Sequence, residues 1–276
     1  MLSLRFVEGH RSQNTNFLMR CDWEVVKRCF EAQPNHSDYV PSAANGLFPV
    51  NKDMVFRALN LVGSPRNVRI IIVGQDPYPR AESAVGISFL DGAVENFQSL
   101  RLAPSVRHIL QAILVSRKLV GPQDNVDKLR TALRDNIGET QTEWFTSLAT
   151  RCGVLWLNRS LTFGGKDPKT LQIHLTFWKP VIETILEEVV RARVGQGLIV
   201  LLWGKKAGDL RPVLVGLANK HKNCSMKLLL NVHPLGHTFP GAGVFESVKR
   251  VEEELKMGVT DFLSATVSEQ ECQNES

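Results

Sequence analysis

The chain has 276 residues, of which 43% are hydrophobic and 22% are charged. This composition is typical of a globular protein with a sizeable core and excludes a chain disordered throughout. No apolar run reaches the roughly 18–20 residues that a membrane helix needs, so we expect a soluble protein without a membrane partner. The formal charge of +5 is compatible with a nucleic-acid partner but does not require one.

The cysteines are odd in number, scattered and never spaced C-x-x-C; they are Cys21, Cys29, Cys152, Cys224 and Cys272. This pattern predicts neither a disulfide framework nor a metal site, and it favours a reducing intracellular compartment. A nucleus, a bacterium or a virus-infected host would fit. A mitochondrion also fits, because the first twenty residues carry three arginines against one acidic residue, Glu8.

The domain organisation predicted from the sequence is simple. Residues 1–20 form a flexible N-terminal segment, and residues 21–263 form a single domain. Residues 264–276 form an acidic, disordered tail that carries Glu269, Glu271 and Glu275.

Four short apolar runs predict buried strands: residues 68–73 (VRIIIV), 154–157 (VLWL), 198–203 (LIVLLW) and 226–231 (MKLLLN). Continuous apolar character indicates burial on both faces, as in a parallel sheet. Helical patterns lie between and around these runs, at residues 181–190, 210–217 and 244–255. Another helix has Ser105 as its expected N-cap and a buried face made by Val106, Ile109, Leu110, Ile113 and Leu114. The fold class is therefore α/β, a single open, mainly parallel four-stranded sheet flanked by helices on both faces.

Polar residues follow each predicted strand at the point where it ends. These residues include Asp76, Asn158, Lys205 and His233. Ligands of open parallel sheets bind outside the carboxyl ends of the strands, so we expect these side chains to gather on one rim.

The rim offers a carboxylate, a carboxamide and an imidazole, which suit acid–base or electrostatic chemistry on a polar, planar substrate. Neither residues 74–79 (GQDPYP) nor residues 204–208 (GKKAG) end in the G-K-[ST] of a phosphate loop. No G-x-S-x-G nucleophile elbow occurs. His233 and His237 have metal-ligand spacing, but Pro234 and Gly236 lie between them and argue against a helix there.

At this point a resemblance to a known family enters. Residues 74–78 (GQDPY) resemble the water-activating loop of family 1 uracil-DNA glycosylases. Further matches follow in the same order as in that family, at residues 47–49 (LFP), 84–89 (AVGISF), 104–105 (PS), 154–162 (VLWLNRSLT), 201–204 (LLWG) and 233–234 (HP). The resemblance covers roughly residues 47–255.

The resemblance implies hydrolysis of the N-glycosidic bond of uracil in DNA, without a cofactor, by a monomer acting on single- or double-stranded DNA. Asp76 would orient the attacking water, and His233 would stabilise the departing base. Phe89 would stack on a uracil flipped out of the helix, Asn158 would bond its Watson–Crick edge, and Tyr78 would exclude the thymine methyl group. Gln75 would help to hold the base.

The resemblance also implies DNA contacts at Pro104, Ser105, Gly204, Lys205, Leu235 and His237. The sequence departs from the family pattern at four places, one of which is residues 80–83 (RAES), where the family has a glycine-containing stretch. The histidine that usually follows the tyrosine is Pro79, and the usual Gly-Ser loop reads Gly204-Lys205. The family's HPSPLS loop reads HPLGHT at residues 233–238, which aligns His237 with the leucine that wedges into the base stack and leaves Leu235 two positions earlier.

Three alternatives stay open at this stage. The chain could be a catalytically weakened glycosylase-fold protein that serves as a DNA-binding or replication-accessory subunit. It could be a glycosylase of changed specificity. Topology alone would also allow a nucleotide-binding enzyme of the doubly wound class, although the chain lacks that class's glycine fingerprint.

Overall fold

The sheet of this protein is fully parallel. The computed structural model describes residues 19–42, 44–99 and 101–268. Its main strands are β1 (Ile70–Gly74), β2 (Val154–Asn158), β3 (Gly197–Trp203) and β4 (Ser225–Asn231), arranged in the order β2-β1-β3-β4. Gly74 pairs with Asn158, and Trp203 pairs with Asn231. All four carboxyl ends therefore meet along one edge, as the sequence predicts.

Helices cover both faces of this sheet. In the described residues they are α1 (Glu24–Glu31), α2 (Arg57–Val62), α3 (Pro104–Ser116), α4 (Val126–Asn136), α5 (Gln141–Cys152), α6 (Pro168–Ala192), α7 (Gly204–Gly208), α8 (Arg211–Lys220) and α9 (Val244–Glu254). Short 3-10 turns lie at Cys21–Trp23, His36–Tyr39, Lys52–Met54, Pro65–Asn67 and Phe239–Gly241. Helix α6 packs against α1 and α8, whereas α3 packs against α9, which in turn contacts β3 and β4. The fold class predicted from the sequence is confirmed.

The burial of the strands agrees with the prediction for three of them and disagrees for the fourth. Every residue of β1, β2 and β3 is buried. Strand β4 has no fully buried residue, and Leu230 on it is 52% exposed. The prediction of burial on both faces is therefore wrong for residues 226–231. Strand β4 lies at an edge of the sheet and is contacted by α7 and α9, which leave it partly exposed, whereas α2 and α5 cover β2 at the other edge.

The start of α3 also differs from the expectation. The helix begins at Pro104, and its N-cap is Ala103, which makes no side-chain cap. Ser105 is therefore inside the first turn, because proline, which lacks an N–H, is well suited to the first helical position. The predicted apolar face is confirmed, since Val106, Ile109, Leu110, Ile113 and Leu114 are all buried.

The packed domain extends beyond the expected boundary at residue 263. Thr266–Val267 form strand β6, which pairs in antiparallel fashion with β5 (Thr260–Asp261), and Ala265 is fully buried between them. The sequence misplaced this boundary because two-residue strands are too short to produce a periodic pattern. Residues 1–18 of the flexible segment predicted at residues 1–20, and residues 269–276 of the tail predicted at residues 264–276, lie outside the described residues.

A partly buried arginine connects the β5–β6 hairpin to the main sheet. Arg69, just before β1, donates to the carbonyl oxygens of Met257 at 2.7 Å and Gly258 at 2.6 Å. Its guanidinium also lies 3.4 Å from the carboxylate of Glu252, whose side chain is 1% exposed. Burial raises the pKa of Glu252, and the arginine opposes that rise.

Two further properties concern the described part of the chain. No helix in it combines the length and the apolar character needed to cross a membrane. Its four cysteines, Cys21, Cys29, Cys152 and Cys224, are free thiols.

Candidate active site

The carboxyl edge of the sheet brings the predicted site residues to one side of the molecule. A small cavity there is lined by Asp76, Tyr78, Phe89 and Asn158, together with residues 83–87. His233 follows β4 and lies against Gly204, the residue after β3. The Phe89 ring connects the two groups, because its centroid is 5.8 Å from that of Trp203, which directly precedes Gly204.

Two glycines allow the close approaches that build this edge. A Cβ at Gly74 would lie 2.4 Å from Oδ1 of Asn158 and 2.8 Å from Cβ of Ser88. A Cβ at Gly204 would lie 2.8 Å from Cβ of His233, and the backbone φ of Gly204 is +80°. Real Cβ atoms do not approach other atoms this closely, so both positions place a functional side chain directly over bare backbone.

The Asn158 carboxamide is buried but has no protein partner. The side chain closes β2 and is only 7% exposed. Neither its oxygen nor its nitrogen makes a hydrogen bond to any residue that the structure describes. The amide atoms line the cavity, where they can hydrogen-bond solvent or a bound ligand. The arrangement therefore favours a ligand that offers one donor and one acceptor to this side chain.

The unpartnered polar atoms of the described core cluster at the same place. Four buried side-chain atoms lack a hydrogen-bond partner: Oγ of Ser83, Oγ of Ser88 and the indole nitrogens of Trp156 and Trp203. Ser83 lines the cavity, Ser88 touches the Gly74 position, and both indoles pack against the Phe89 ring. Folded proteins tolerate such unsatisfied groups mainly where function requires them.

Phe89 is held in a strained backbone conformation. Its φ of 67° lies in the left-handed region, which bulky residues rarely adopt. The Tyr78 hydroxyl donates to the carbonyl oxygen of Phe89 at 3.2 Å and also hydrogen-bonds the Ser105 side chain. Burial, with a smaller effect of Asp91, raises the pKa of Tyr78 to about 12. Tyr78 and Phe89 thus form a neutral, rigid pair of rings at the cavity.

Asp76 supplies the anionic group of the site. Its side chain is half-buried just after β1, and this burial raises the pKa of the carboxyl above the ordinary aspartate value. The Gln75 amide opposes the rise by donating to Oδ2 at 3.5 Å. When ionised, this carboxylate has no salt-bridge partner among the described residues.

His233 supplies a neutral hydrogen-bond donor. The backbone N–H of Leu235 donates to Nδ1 of His233 at 3.1 Å, which leaves the ring proton on Nε2. Partial burial lowers the pKa of His233, so the imidazole is uncharged at neutral pH. Protonation of Nδ1 would also be unfavourable, because its N–H would point at the N–H of Leu235.

The residues predicted to contact DNA lie around the cavity and do not line it. Leu235 is 57% exposed. His237, two residues further along the chain, and Lys205, which follows Gly204 on the same edge of the sheet, are also exposed. Pro104 is exposed at the start of α3, whereas Ser105 is engaged with Tyr78. These positions form an exposed rim of one cation and one large apolar side chain around a recessed cavity.

The sequence reasoning missed several residues that support the site. Trp156 and Trp203 read as core strand residues, and only the fold places them behind Phe89. Arg159 links the end of β2 to α7 by donating to the carbonyl of Lys206 and by pairing with Asp209 at 3.2 Å. No local pattern marks these roles, since each depends on a partner distant along the chain.

The fold and the site together define the class of this protein. It is an open α/β protein with a cavity at the carboxyl ends of its parallel strands. A carboxamide and a carboxylate line this cavity, and an imidazole lies on the same edge of the sheet. The described residues contain no cluster of three or more histidine, cysteine or acidic side chains that could hold a metal.

Comparison with known proteins adds the family. No family model matches the chain. The uracil-DNA glycosylase of Idiomarina loihiensis is 30% identical over 176 residues, which cover 63% of this chain and 67% of that protein. The uracil-DNA glycosylase of Nocardioides sp. is 33% identical over 175 residues, 62% of each chain. The chain belongs to the uracil-DNA glycosylase superfamily.

Two other similarities show how much of this chain and of its relatives the match covers. Uracil-DNA glycosylase 1 of Streptomyces avermitilis is 34% identical over 154 residues, so the chain spans about half the length of that relative, with 54% of each covered. The crystal structure of wild-type UNG from Nitratifractor salsuginis superimposes with a TM-score of 0.69 over 91% of this chain and 94% of that one, at 24% identity. The similarity to that structure concerns the fold.

Proposed function

We propose that this protein is a family 1 uracil-DNA glycosylase, which hydrolyses the N-glycosidic bond of uracil in DNA and leaves an abasic site for base excision repair. The observation that carries the proposal is the buried, unpartnered Asn158 amide in one cavity with Phe89, Tyr78 and Asp76. Superfamily membership and the similarity to proteins named uracil-DNA glycosylase support it.

The cavity, which has a volume of ≈10 Å³ in this structure, would widen to read a base that has been flipped out of the DNA. The Asn158 amide nitrogen would donate to O4 of uracil, and its oxygen would accept from N3–H, which satisfies both unpartnered atoms. Phe89 would stack on the base with its ring supported by Trp156 and Trp203. Tyr78, held by its hydrogen bond to the Phe89 carbonyl, would lie beside C5 and leave no space for the thymine methyl group.

The two catalytic groups would stabilise opposite charges as the bond breaks. The C1′–N1 bond would break with its electron pair leaving on uracil, while water attacks C1′ and gives a proton to the Asp76 carboxylate. Asp76 would return that proton to solvent, and the uracil anion would take up a proton from solvent. Asp76 would hold that water and stabilise the positive charge on the sugar. His233 would donate its Nε2 proton in a hydrogen bond to uracil O2, which suits a neutral imidazole beside a forming anion. No step of this scheme uses a metal or a cofactor.

The rim around the cavity would bind the DNA backbone and the gap left by the flipped base. Lys205, next to Gly204, would contact phosphate and make binding depend on salt. Pro104 and Ser105 would contact phosphate from the start of α3. Leu235, with 57% of its surface exposed, is better placed by its apolar character than His237 to wedge between bases.

The proposal is tested by uracil release from single- and double-stranded oligonucleotides that carry one uracil, followed by alkaline cleavage of abasic sites. We expect release by the unmodified protein and losses of at least about 10²-fold in Asp76→Asn and in His233→Ala. Asp127→Asn is the matched control, because that carboxylate lies on α4 with 90% of its surface exposed, and its rate should not change.

Other outcomes would change the proposal in defined ways. Release from single strands alone would locate the defect in the altered loop at residues 233–238. A folded protein that binds DNA but releases no uracil from either substrate would refute the enzymatic proposal and favour an accessory DNA-binding subunit. Release of thymine by Tyr78→Ala, but not by the unmodified protein, would support the steric role of Tyr78.

A further inference from the structure

A second cavity adjoins Asp76, apart from the one that would hold the base. It is lined by Asp76, Ser160, Thr162, Gly164 and His174, together with apolar side chains from α6 and the loop before it. Its volume of ≈10 Å³ is close to that needed for one water molecule. The cavity therefore places a buried histidine, which the proposed mechanism does not use, across a water-sized space from the catalytic carboxylate.

His174 is fixed in this position by a chain of hydrogen bonds. Its Nδ1 lies 3.0 Å from Oγ1 of Thr162, and the same oxygen accepts the indole N–H of Trp178 at 2.7 Å. The Tyr39 ring meets the imidazole edge-on, with the centroids 5.2 Å apart. His174 is 7% exposed, and burial lowers its pKa, so the ring is neutral.

The other ring nitrogen faces the cavity loop. A Cβ at Gly164 would lie 2.6 Å from Nε2 of His174, so this nitrogen reaches the backbone of a cavity-lining residue. Nε2 makes no hydrogen bond to any residue that the structure describes. Thr162 Oγ1 accepts from Trp178 and has its own proton to give, so we assign the tautomer in which this hydroxyl donates to Nδ1 and the imidazole proton is on Nε2.

We propose that His174 is a positioning residue that holds the Asp76 carboxylate through one water molecule in this cavity. In this arrangement Trp178 donates to Thr162, Thr162 would donate to His174, and Nε2 of His174 would donate through the water to the carboxylate. Hydrogen bonds aligned in one chain strengthen one another. The bridging water would fix the carboxylate's orientation without changing its own protonation. The inference rests on the proposed function, since it assigns an effect on the hydrolytic step.

The first test uses His174→Phe, which keeps an aromatic ring of similar size, and His174→Gln, which restores a donor. We expect the single-turnover rate of uracil release at saturating DNA to fall about tenfold in His174→Phe, as for other outer hydrogen-bond partners of active sites. The dissociation constant for uracil-containing DNA should stay the same. His174→Gln should recover most of the rate.

The pH profile separates positioning from a merely structural role. Loss of a donor raises the pKa of a carboxyl, so the acidic limb of the His174→Phe profile should move to higher pH, and His174→Gln should move it back. A wild-type rate or an unshifted limb in folded His174→Phe would overturn the inference. If that variant does not fold, Thr162→Val decides, because it keeps the volume and removes the hydroxyl that holds Nδ1.

Neighbouring glycines provide an independent perturbation. Gly164→Ala would push directly on Nε2 of His174, whereas a Cβ at Gly165 would approach no atom more closely than 3.3 Å. We expect a slower release rate in Gly164→Ala and an unchanged rate in Gly165→Ala; equal rates in both would count against the inference. Failure of the unmodified protein to release uracil would refute the proposed function itself, whereas release unaffected by all these variants would refute only the role of His174.

Discussion

Replacing Gly74 by alanine tests whether the site depends on the contact between β1 and the Asn158 amide. The new Cβ would lie 2.4 Å from Oδ1 of Asn158, about 1 Å short of ordinary van der Waals contact at 3.4 Å. Ser88, at 2.8 Å, blocks movement in the other direction. The carboxamide must therefore shift by about 1 Å, since both strands are fully buried and hydrogen-bonded in register.

The expected effect on activity is larger than the effect on stability. A displacement of about 1 Å in a positioning group can lower the rate by about 10²-fold. Overpacking destabilises by about 1–3 kcal/mol, and the lower entropy of unfolded alanine offsets about 0.5–1 kcal/mol of that. We therefore expect a folded Gly74→Ala protein that still binds uracil-free DNA normally and releases uracil slowly.

The assay is single-turnover uracil release, with the free energy of unfolding measured in urea. Gly216→Ala is the matched control, because a Cβ there would meet nothing within 4 Å and the position lies inside α8. That variant should keep full activity and gain up to about 1 kcal/mol in helix stability. A folded Gly74→Ala protein that releases uracil at the wild-type rate would refute the argument that the Asn158 position limits catalysis.

Three further predictions concern groups around and behind the site. Burial raises the pKa of Asp76 and lowers that of His233. We therefore expect kcat/KM to rise with pH through a pKa above 3.8 and to stay level from pH 6.5 to 8. A decline between pH 6.5 and 8 would indicate that a protonated imidazole is required. Gly204→Ala places a Cβ 2.8 Å from Cβ of His233, at a residue with a φ of +80°. In release assays this variant should release uracil at least about tenfold more slowly. In thermal melting it should be less stable by about 1–2 kcal/mol. Arg69→Met removes the ion-pair partner of the buried Glu252, so the free energy of unfolding measured in urea should fall by about 3–5 kcal/mol. The folded variant should release uracil at the normal rate. A slower release rate would mean that the β5–β6 hairpin positions the site.

The sequence by itself determined the sheet and the place of the site. Continuous apolar runs indicate burial on both faces, which is correct for three of the four strands and typical of a parallel sheet, and the carboxyl ends of parallel strands meet at one edge. For that reason Asp76, Asn158 and His233 could be assigned to a common rim before any coordinates were known. Their roles came from a resemblance and stay predictions.

Only the tertiary structure decided the features that depend on distant partners. The exposure of β4 follows from the incomplete cover that α7 and α9 give it at the edge of the sheet, and the packing of residues 264–268 follows from a two-residue pairing. His174 and Trp178 lie one turn apart on α6, and the same spacing occurs when two residues simply pack on the core face of a helix. The cavity that joins His174 to Asp76 exists because the loop at Gly164 packs against that face, and a contact between segments nearly a hundred residues apart leaves no local trace in the chain.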